Sequence, residues 1–319
     1  MKRNNRLICA CAGAALLLAA GCSRTIDGAA PSRGEAIGFA PTATRAAVED
    51  FAAGDAFAVW GWYTPEDAST QDGATWRYDD LKYWKSGKTY AFYALYPATD
   101  ALPATAGGYD SDGRLTVEGF DAAQQADLMA ASAPGMPGSS PAVVRFAFAH
   151  LLSRVQLVGR IDPSSAGIVG FTPRVHAIRL YGVPRTGSLS VAADAVTDPA
   201  ALLAAWSLSG TTTSEAPMAE FTSPAGAEIS TDGVLLLDAL PLPQQLTPDA
   251  SVEVVYSTDG TGTELKTTVS QLTALSVSTW EAGRQYRYTF NISDRDRILF
   301  DTPTVNGWDE AVGGIIIVD

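Results

Sequence analysis

From about residue 55 onward the chain is broken into short runs rich in aromatic and β-branched residues, each closed by Gly, Pro, Asp or Ser. This punctuation constrains the fold more than any other feature. Side chains at i and i+2 share one face of a strand, and turn residues end the strand before a helix can build up. Examples are "AFAVWGWYT" (56–64), "KTYAFYALYP" (88–97) and "RLTVEGF" (114–120), separated by "DGAT", "KSG", "GGYDSDG" and "APGMPGSSP". Later runs are "AVVRFAFAHLLSRVQLVGRI" (142–161), "RVHAIRLYGV" (174–183), "GSLSVA" (187–192), "GVLLLDAL" (233–240), "SVEVVYSTD" (251–259), "TELKTTVS" (263–270) and "RQYRYTFNI" (284–292). In the last, Tyr286, Tyr288 and Phe290 face one way while Arg287 and Thr289 face the other. The repeated "STDG" at 230–233 and 257–260 is a hairpin-turn signal. Only "AAQQADLMAA" and "DPAALLAAW" read as short helices. Many short strands at this spacing predict an all-β chain of β-sandwiches, and 319 residues leave room for two. The Pro/Gly/Ser-rich "SAPGMPGSSP" (132–141) is the candidate boundary, giving sandwich domains over 37–141 and 142–319.

The N-terminus carries an export signal. "MKRNNRLICACAGAALLLAAGC" has a basic start, an apolar stretch and a small-residue cleavage site, and is too short for a spanning helix. Residues 1–21 are therefore assigned to a signal peptide. Leu18-Ala19-Ala20-Gly21-Cys22 resembles a bacterial lipoprotein lipobox, which implies cleavage before Cys22 and acylation of its sulfur and new amino group. Several acyl chains would anchor the protein stably in a membrane. Residues 22–36 read as a small, polar tether.

Cys9 and Cys11 leave with the signal, so the expected mature chain has no thiol besides Cys22. It must be stabilised by packing alone, and Cys-based metal sites and thiol nucleophiles are ruled out. The net charge of −13 includes Lys2, Arg3 and Arg6, so the chain from Cys22 onward carries −16. An acidic surface of this kind argues against nucleic acid or an anionic membrane surface as direct partners.

No residue set points to catalysis, a metal or a cofactor. His150 and His176 each sit in an apolar strand-like run, as a satisfied core or edge histidine would. No Gly-rich phosphate loop, HExxH or G-x-S-x-G occurs. Asp79 and Asp80, Asp110 and Asp112, and Asp294 and Asp296 are carboxylate pairs. "YDSDGR" begins like a calcium loop but lacks the later ligands, and reads as a turn. "SDRDR" (293–297) reads as a solvated strand connection. The dense aromatics around Trp60, Trp62, Trp76 and Trp84 either fill a sandwich core or stack on sugar rings. An alternative reading is thus a permanently lipid-anchored, glycan-binding surface protein that does not polymerise, and burial of these Trp residues would remove its aromatic platform.

The lipobox, "GDAFAVWGWY", "WRYDDLKYWKSGKTYAFYALYP", "FAFAHLLSRVQL", "VHAIRLYGV", "WEAGRQYRYTFNIS" and "VNGWDEAVGGIIIV" occur together in this order from Cys22 to the end. The set resembles the fimbrillin (Mfa-like) family, the subunits of type V pili. The resemblance implies two transthyretin-like β-sandwich domains and no enzymatic activity. It implies export as an outer-membrane lipoprotein, then cleavage by an arginine-specific protease that removes the first strand and opens a groove. A C-terminal strand of another fimbrial subunit fills that groove, and the resulting fimbrium adheres to a host or bacterial surface ligand.

Those roles map onto residues of this chain. "IGFAP" (37–41) is the strand that would be lost, and Arg45, followed by Ala46, is the expected cut. Arg24 and Arg33 precede the strand, so cutting there would leave it attached. At the other end Gly313 and Gly314 offer a hinge before Ile315, Ile316, Ile317 and Val318. In a strand, Ile315 and Ile317 share one face and Ile316 and Val318 the other. This tail is either donated to a neighbour or closes the sheet of its own domain.

Overall fold

The structure, a computed structural model, describes residues 7–10, 36–41, 56–65, 83–98, 102, 105–260, 262–308 and 316–317. Nearly all of these lie in strands or the turns between them. The expected all-β fold is what these residues form, for the reason the sequence suggests: apolar and polar residues alternate, and Gly or Asp closes each run. Among the described residues no helix is long and apolar enough to cross a membrane.

The chain forms two compact units. The first gathers Met1–Pro103, Gly108–Leu115 and Met129–Phe148; the second gathers Ala104–Gly107, Thr116–Leu128 and Ala149–Asp319. In the first unit the strands Ala56–Pro65, Lys88–Tyr96 and Met129–Pro137 lie side by side, all antiparallel. Register gives this sheet two distinct faces. Val59 opposes Ala94, Gly61 opposes Phe92 and Tyr63 opposes Tyr90, so Phe57, Val59, Tyr90 and Phe92 share one face. Trp60 opposes Tyr93, Trp62 opposes Ala91 and Thr64 opposes Thr89 on the other. Across the first face lies a smaller parallel pair, Phe39–Pro41 beside Val144–Phe146. Ile37, Phe57, Val59, Trp84, Phe92 and Phe146 are among the residues buried between the two layers, which makes this unit a sandwich. Each such aromatic or branched side chain contributes about 1.5–3 kcal/mol by leaving water.

The Pro/Gly-rich 132–141 segment is not turn throughout. It continues the Met129–Pro137 strand, whose register against Lys88–Tyr96 jumps between Tyr90 and Phe92. Phe92 opposes Ala133 and Tyr90 opposes Met136, so Pro134 and Gly135 occupy the bulge. A bulge is where a strand tolerates a residue without an N–H.

In the second unit Arg154–Ile161 runs parallel to Arg284–Ile292 and antiparallel to Val234–Ala239. Tyr286, Tyr288 and Phe290 are buried as the alternation expected, with Arg287 and Thr289 half-buried. A four-stranded antiparallel sheet has the order Ala219–Glu228, Arg174–Tyr181, Ser251–Ser257, Lys266–Gln271. In a further sheet Trp206–Thr211 pairs with Pro184–Ala192. Two of these strands, Trp206–Thr211 and Ala219–Glu228, lie in stretches without a clear strand signature. Both are largely exposed, and Ala219–Glu228 is an edge strand carrying Pro224 and Gly226. Exposed edges need no apolar alternation.

The "DPAALLAAW" run forms the helix Pro199–Ala205, started by Pro199 and by the Asp198 carboxylate, which accepts the amides of Ala200 and Ala201. The "AAQQADLMAA" run gives only a single turn, Ala122–Gln124, before the next strand. The long 142–161 run is likewise divided, into Val144–Phe146, Ala149–His150 and Arg154–Ile161.

Candidate functional site

The chain segment 36–41 is seated on an aromatic floor in the first unit. Ala36 bridges Tyr83, the amide of Val144 donates to the carbonyl of Gly38 at 2.8 Å, and Phe39, Ala40 and Pro41 run parallel to Val144, Arg145 and Phe146. Strand alternation sends Ile37 and Phe39 to the same side. Ile37 is 4% exposed, in the cluster with Phe57, Trp84, Phe92, Val144 and Phe146. The Phe39 ring meets Phe92 edge-on at 5.3 Å and lies nearly parallel to Phe146 at 5.9 Å. Below them Phe57 meets Phe146 at 6.0 Å, and Trp84 meets Phe92 at 5.8 Å.

The segment is therefore a short strand that covers a large apolar surface with two side chains and a three-residue ladder. Its loss would leave both an open backbone edge on Val144–Phe146 and uncovered rings on Phe92 and Phe146. Sequence reading located the strand but not its floor. Phe92 and Phe146 are ordinary members of apolar runs, and only the folded layers bring them together.

At the other end of the chain, the backbone of Ile316–Ile317 lies parallel to Val234 and Leu235, at one edge of the sheet containing Arg154–Ile161. Near the N-terminus, Leu7–Ala10, inside the expected signal peptide, pairs antiparallel with Ala56–Val59. Cys22, Arg24, Arg33, Arg45, Ala46, Gly313, Gly314, Ile315 and Val318 lie outside the described residues, as do Trp76, Asp79 and Asp80.

The other sequence-marked residues have separate local roles. Trp60, Trp62 and Trp84 are 8%, 7% and 4% exposed, so they form no exposed stacking platform. His150 and His176 are buried in different networks: His150 Nδ1 faces the Asp127 carboxylate, and His176 Nε2 lies 3.0 Å from Ser257 Oγ. In "YDSDGR" the Asp110 carboxylate accepts the amides of Asp112 and Arg114 at 3.0 and 2.8 Å, as a turn-closing side chain does. Asp296 takes Lys266 Nζ and Thr258 Oγ1, and Asp294 takes Ser165 Oγ. The Lys266 ammonium holds the Asp296 carboxyl below the usual aspartate range. Among the described residues no group of three or more His, Cys, Asp or Glu is placed to hold a metal ion.

Burial raises the pKa of the Tyr90 hydroxyl on the floor, with the Lys85 amide acting against it. Burial also raises those of Tyr93 and, far more, Tyr109 on the opposite face of the sheet, with Asp110 adding to the effect at Tyr93. These phenols stay neutral at physiological pH. The described surface under residues 36–41 is apolar and aromatic, suited to holding a strand rather than to moving protons.

No curated protein matches the chain. Among solved structures, a fimbrial protein from Bacteroides vulgatus shares its fold with a TM-score of 0.54, at 14% identity, over 86% of this chain and 99% of that one. Two candidate cell adhesion proteins, from Bacteroides uniformis and Bacteroides ovatus, are each 16% identical with TM-scores of 0.43. They match over 78% and 89% of this chain and 91% of each of their own. A family model described as fimbrillin-like matches residues 44–308, which is most of the sequence. The chain belongs to the fimbrillin-like family.

Proposed function

We propose that this protein is a structural, non-enzymatic subunit of cell-surface fimbriae that polymerises by strand exchange and supports adhesion. The precursor is exported as a lipoprotein and held at the outer membrane through acylated Cys22. Cleavage between Arg45 and Ala46 releases residues 37–41, and the Ile315–Val318 strand of another subunit takes their place. The observation that carries this reading is the seating of Ile37 and Phe39 on the Phe92 and Phe146 rings by a strand that ends just before Arg45.

Physical chemistry supplies the driving force. Removing the strand exposes unpaired N–H and C=O groups together with the apolar rings beneath them, and an incoming strand satisfies both. A contact that joins two different surfaces of successive subunits propagates as a filament wherever its rotation does not close a ring.

The test is the intact mass of the protein recovered from the native cell surface. A lipid-free chain beginning at Ala46 is the expected result for an assembled subunit. A chain that still begins at acylated Cys22 in the fimbrial fraction would overturn the cleavage step. The rival reading, a lipid-anchored monomer with an aromatic glycan platform, loses its support at Trp60, Trp62 and Trp84, which are buried.

A further inference from the structure

The first unit has an open cleft of about 400 Å³ on the face of its sheet that points away from the Phe92 and Phe146 core. Trp62, Thr64, Thr89 and Tyr93 form its floor, and Ser111 and Asp112, from the turn after Tyr109, form a wall. Tyr63 and Tyr90, which belong to the core side of the sheet, also line it. The volume falls within the range of small-ligand sites, about 300–1,000 Å³.

The lining combines two kinds of surface. The Trp62 and Tyr93 rings are inclined at 59° with centres 5.6 Å apart, making an apolar corner. Trp62 and Tyr93 are only 7% and 9% exposed, so together they offer a narrow corner at the side of the cleft and not the flat platform of the rival reading. Around this corner the lining adds the hydroxyl residues Thr64, Thr89 and Ser111 and one acidic residue, Asp112. Asp112 is exposed, and its carboxylate has no hydrogen-bond or ion-pair partner among the described residues. Its neighbour Asp110 is different, because two backbone amides occupy its carboxylate.

The wall is held in place before any ligand arrives. Asp110 closes the turn, and Gly113, with φ of +74°, lets the turn settle onto the Tyr93 ring. A Cβ at Gly113 would lie 2.6 Å from Tyr93 Oη, so no larger residue fits there without a shift. Tyr93 is backed in turn by Tyr109, stacked at 4.8 Å. A rim fixed in advance lowers the entropic cost of binding.

We infer that this cleft binds a neutral pyranoside, the terminal sugar of a surface glycan. Such a ring has an apolar C–H face for the Trp62–Tyr93 corner and vicinal hydroxyls for a carboxylate and neighbouring alcohols. The Asp112 carboxylate disfavours sulfated, phosphorylated or acidic sugars at the same place.

Saturation-transfer NMR on the full mature chain, with the methyl glycosides of mannose, galactose, glucose, fucose and N-acetylglucosamine as probes, tests the assignment. At least one is expected to bind, and Asp112→Ala and Thr89→Val are each expected to weaken it about tenfold by removing a hydrogen-bond partner. Both variants alter surface or half-buried side chains, and an unchanged circular dichroism spectrum confirms the fold. Binding of none of the five would overturn the proposal. So would equal affinity in both variants, or tighter binding of methyl glucuronide than of every neutral probe.

Discussion

The imidazole of His150 lies flat against the Trp308 indole, with ring centres 4.0 Å apart and planes 2° from parallel. His150 Nδ1 is 2.9 and 3.1 Å from the two carboxylate oxygens of Asp127. The Arg154 guanidinium, itself held by Asp238, sits 5.8 Å from the Trp308 ring centre. The Trp308 amide donates to the carbonyl of Gly283 at 3.0 Å. Among the described residues Trp308 is the last before Ile316 and Ile317, and the second unit holds its indole in place.

Trp308→Ala removes this anchor. A buried Trp replaced by Ala typically costs about 3–5 kcal/mol. The expected outcome is a loss of that order in urea unfolding, together with faster hydrogen exchange at Ile316 and Ile317. Unchanged exchange at those amides would show that Trp308 does not control the segment beyond it.

Ile37→Ala and Phe39→Ala loosen the strand over the Phe92 and Phe146 rings. Loss of a buried Ile typically costs about 2–5 kcal/mol, more than a three-residue ladder readily compensates. Both variants are expected to be cleaved faster by trypsin in the 37–46 region than the parent, as read by mass spectrometry. Equal cleavage rates would mean that these two side chains do not hold the strand down.

Asp121 receives Arg185 through two nitrogen–oxygen contacts of 2.7 and 2.8 Å, and also caps the Ala122–Gln124 turn. The Arg185 hydrogen bond, ahead of the capping amide, lowers the Asp121 pKa below the ordinary 3.8. A depressed carboxyl pKa adds stability that is fully present above the unfolded value and is lost as pH falls through the folded one. The second unit is therefore expected to weaken below about pH 4. Asp121→Asn should cost roughly 1 kcal/mol at pH 7 and much less at pH 2, giving a shallower acid limb in thermal unfolding.

Arg179 stands between Glu220 and Glu253, each directly opposite it in register on the two flanking strands. Removing the arginine leaves two carboxylates facing an empty position. Arg179→Gln is expected to cost about 1 kcal/mol at low salt. Glu220→Gln in the same chain should recover part of that loss, and a double-mutant cycle measures the coupling.

Gly226 has φ of +75°, and a Cβ there would lie 2.7 Å from Arg174 Cβ and 2.8 Å from His176 Cε1. It sits where the Ala219–Glu228 strand changes register against Arg174–Tyr181. Gly226→Ala is expected to lower stability by more than about 1 kcal/mol, through both strain and crowding. Urea unfolding measures it.

Local patterning along the chain specifies the all-β class and most of the strands. Alternation is local, so Tyr286, Tyr288 and Phe290 declared their buried face without knowledge of any partner. The proposals for Cys22, Arg45 and the apolar tail likewise rest on the linear chain. Tertiary structure alone decided what each strand lies against. Pro134 and Gly135 look like a turn until a bulge opposite Tyr90 and Phe92 absorbs them. Ala219–Glu228 has little apolar signal because an edge strand buries little, and its ladder comes from Arg174–Tyr181. The floor beneath Ile37 and Phe39 joins Phe57, Phe92 and Phe146, and the His150–Trp308 stack joins residues far apart along the chain. Periodicity reports which side of a strand prefers to leave water, whereas the partner on that side depends on register and layer order, which no local pattern encodes.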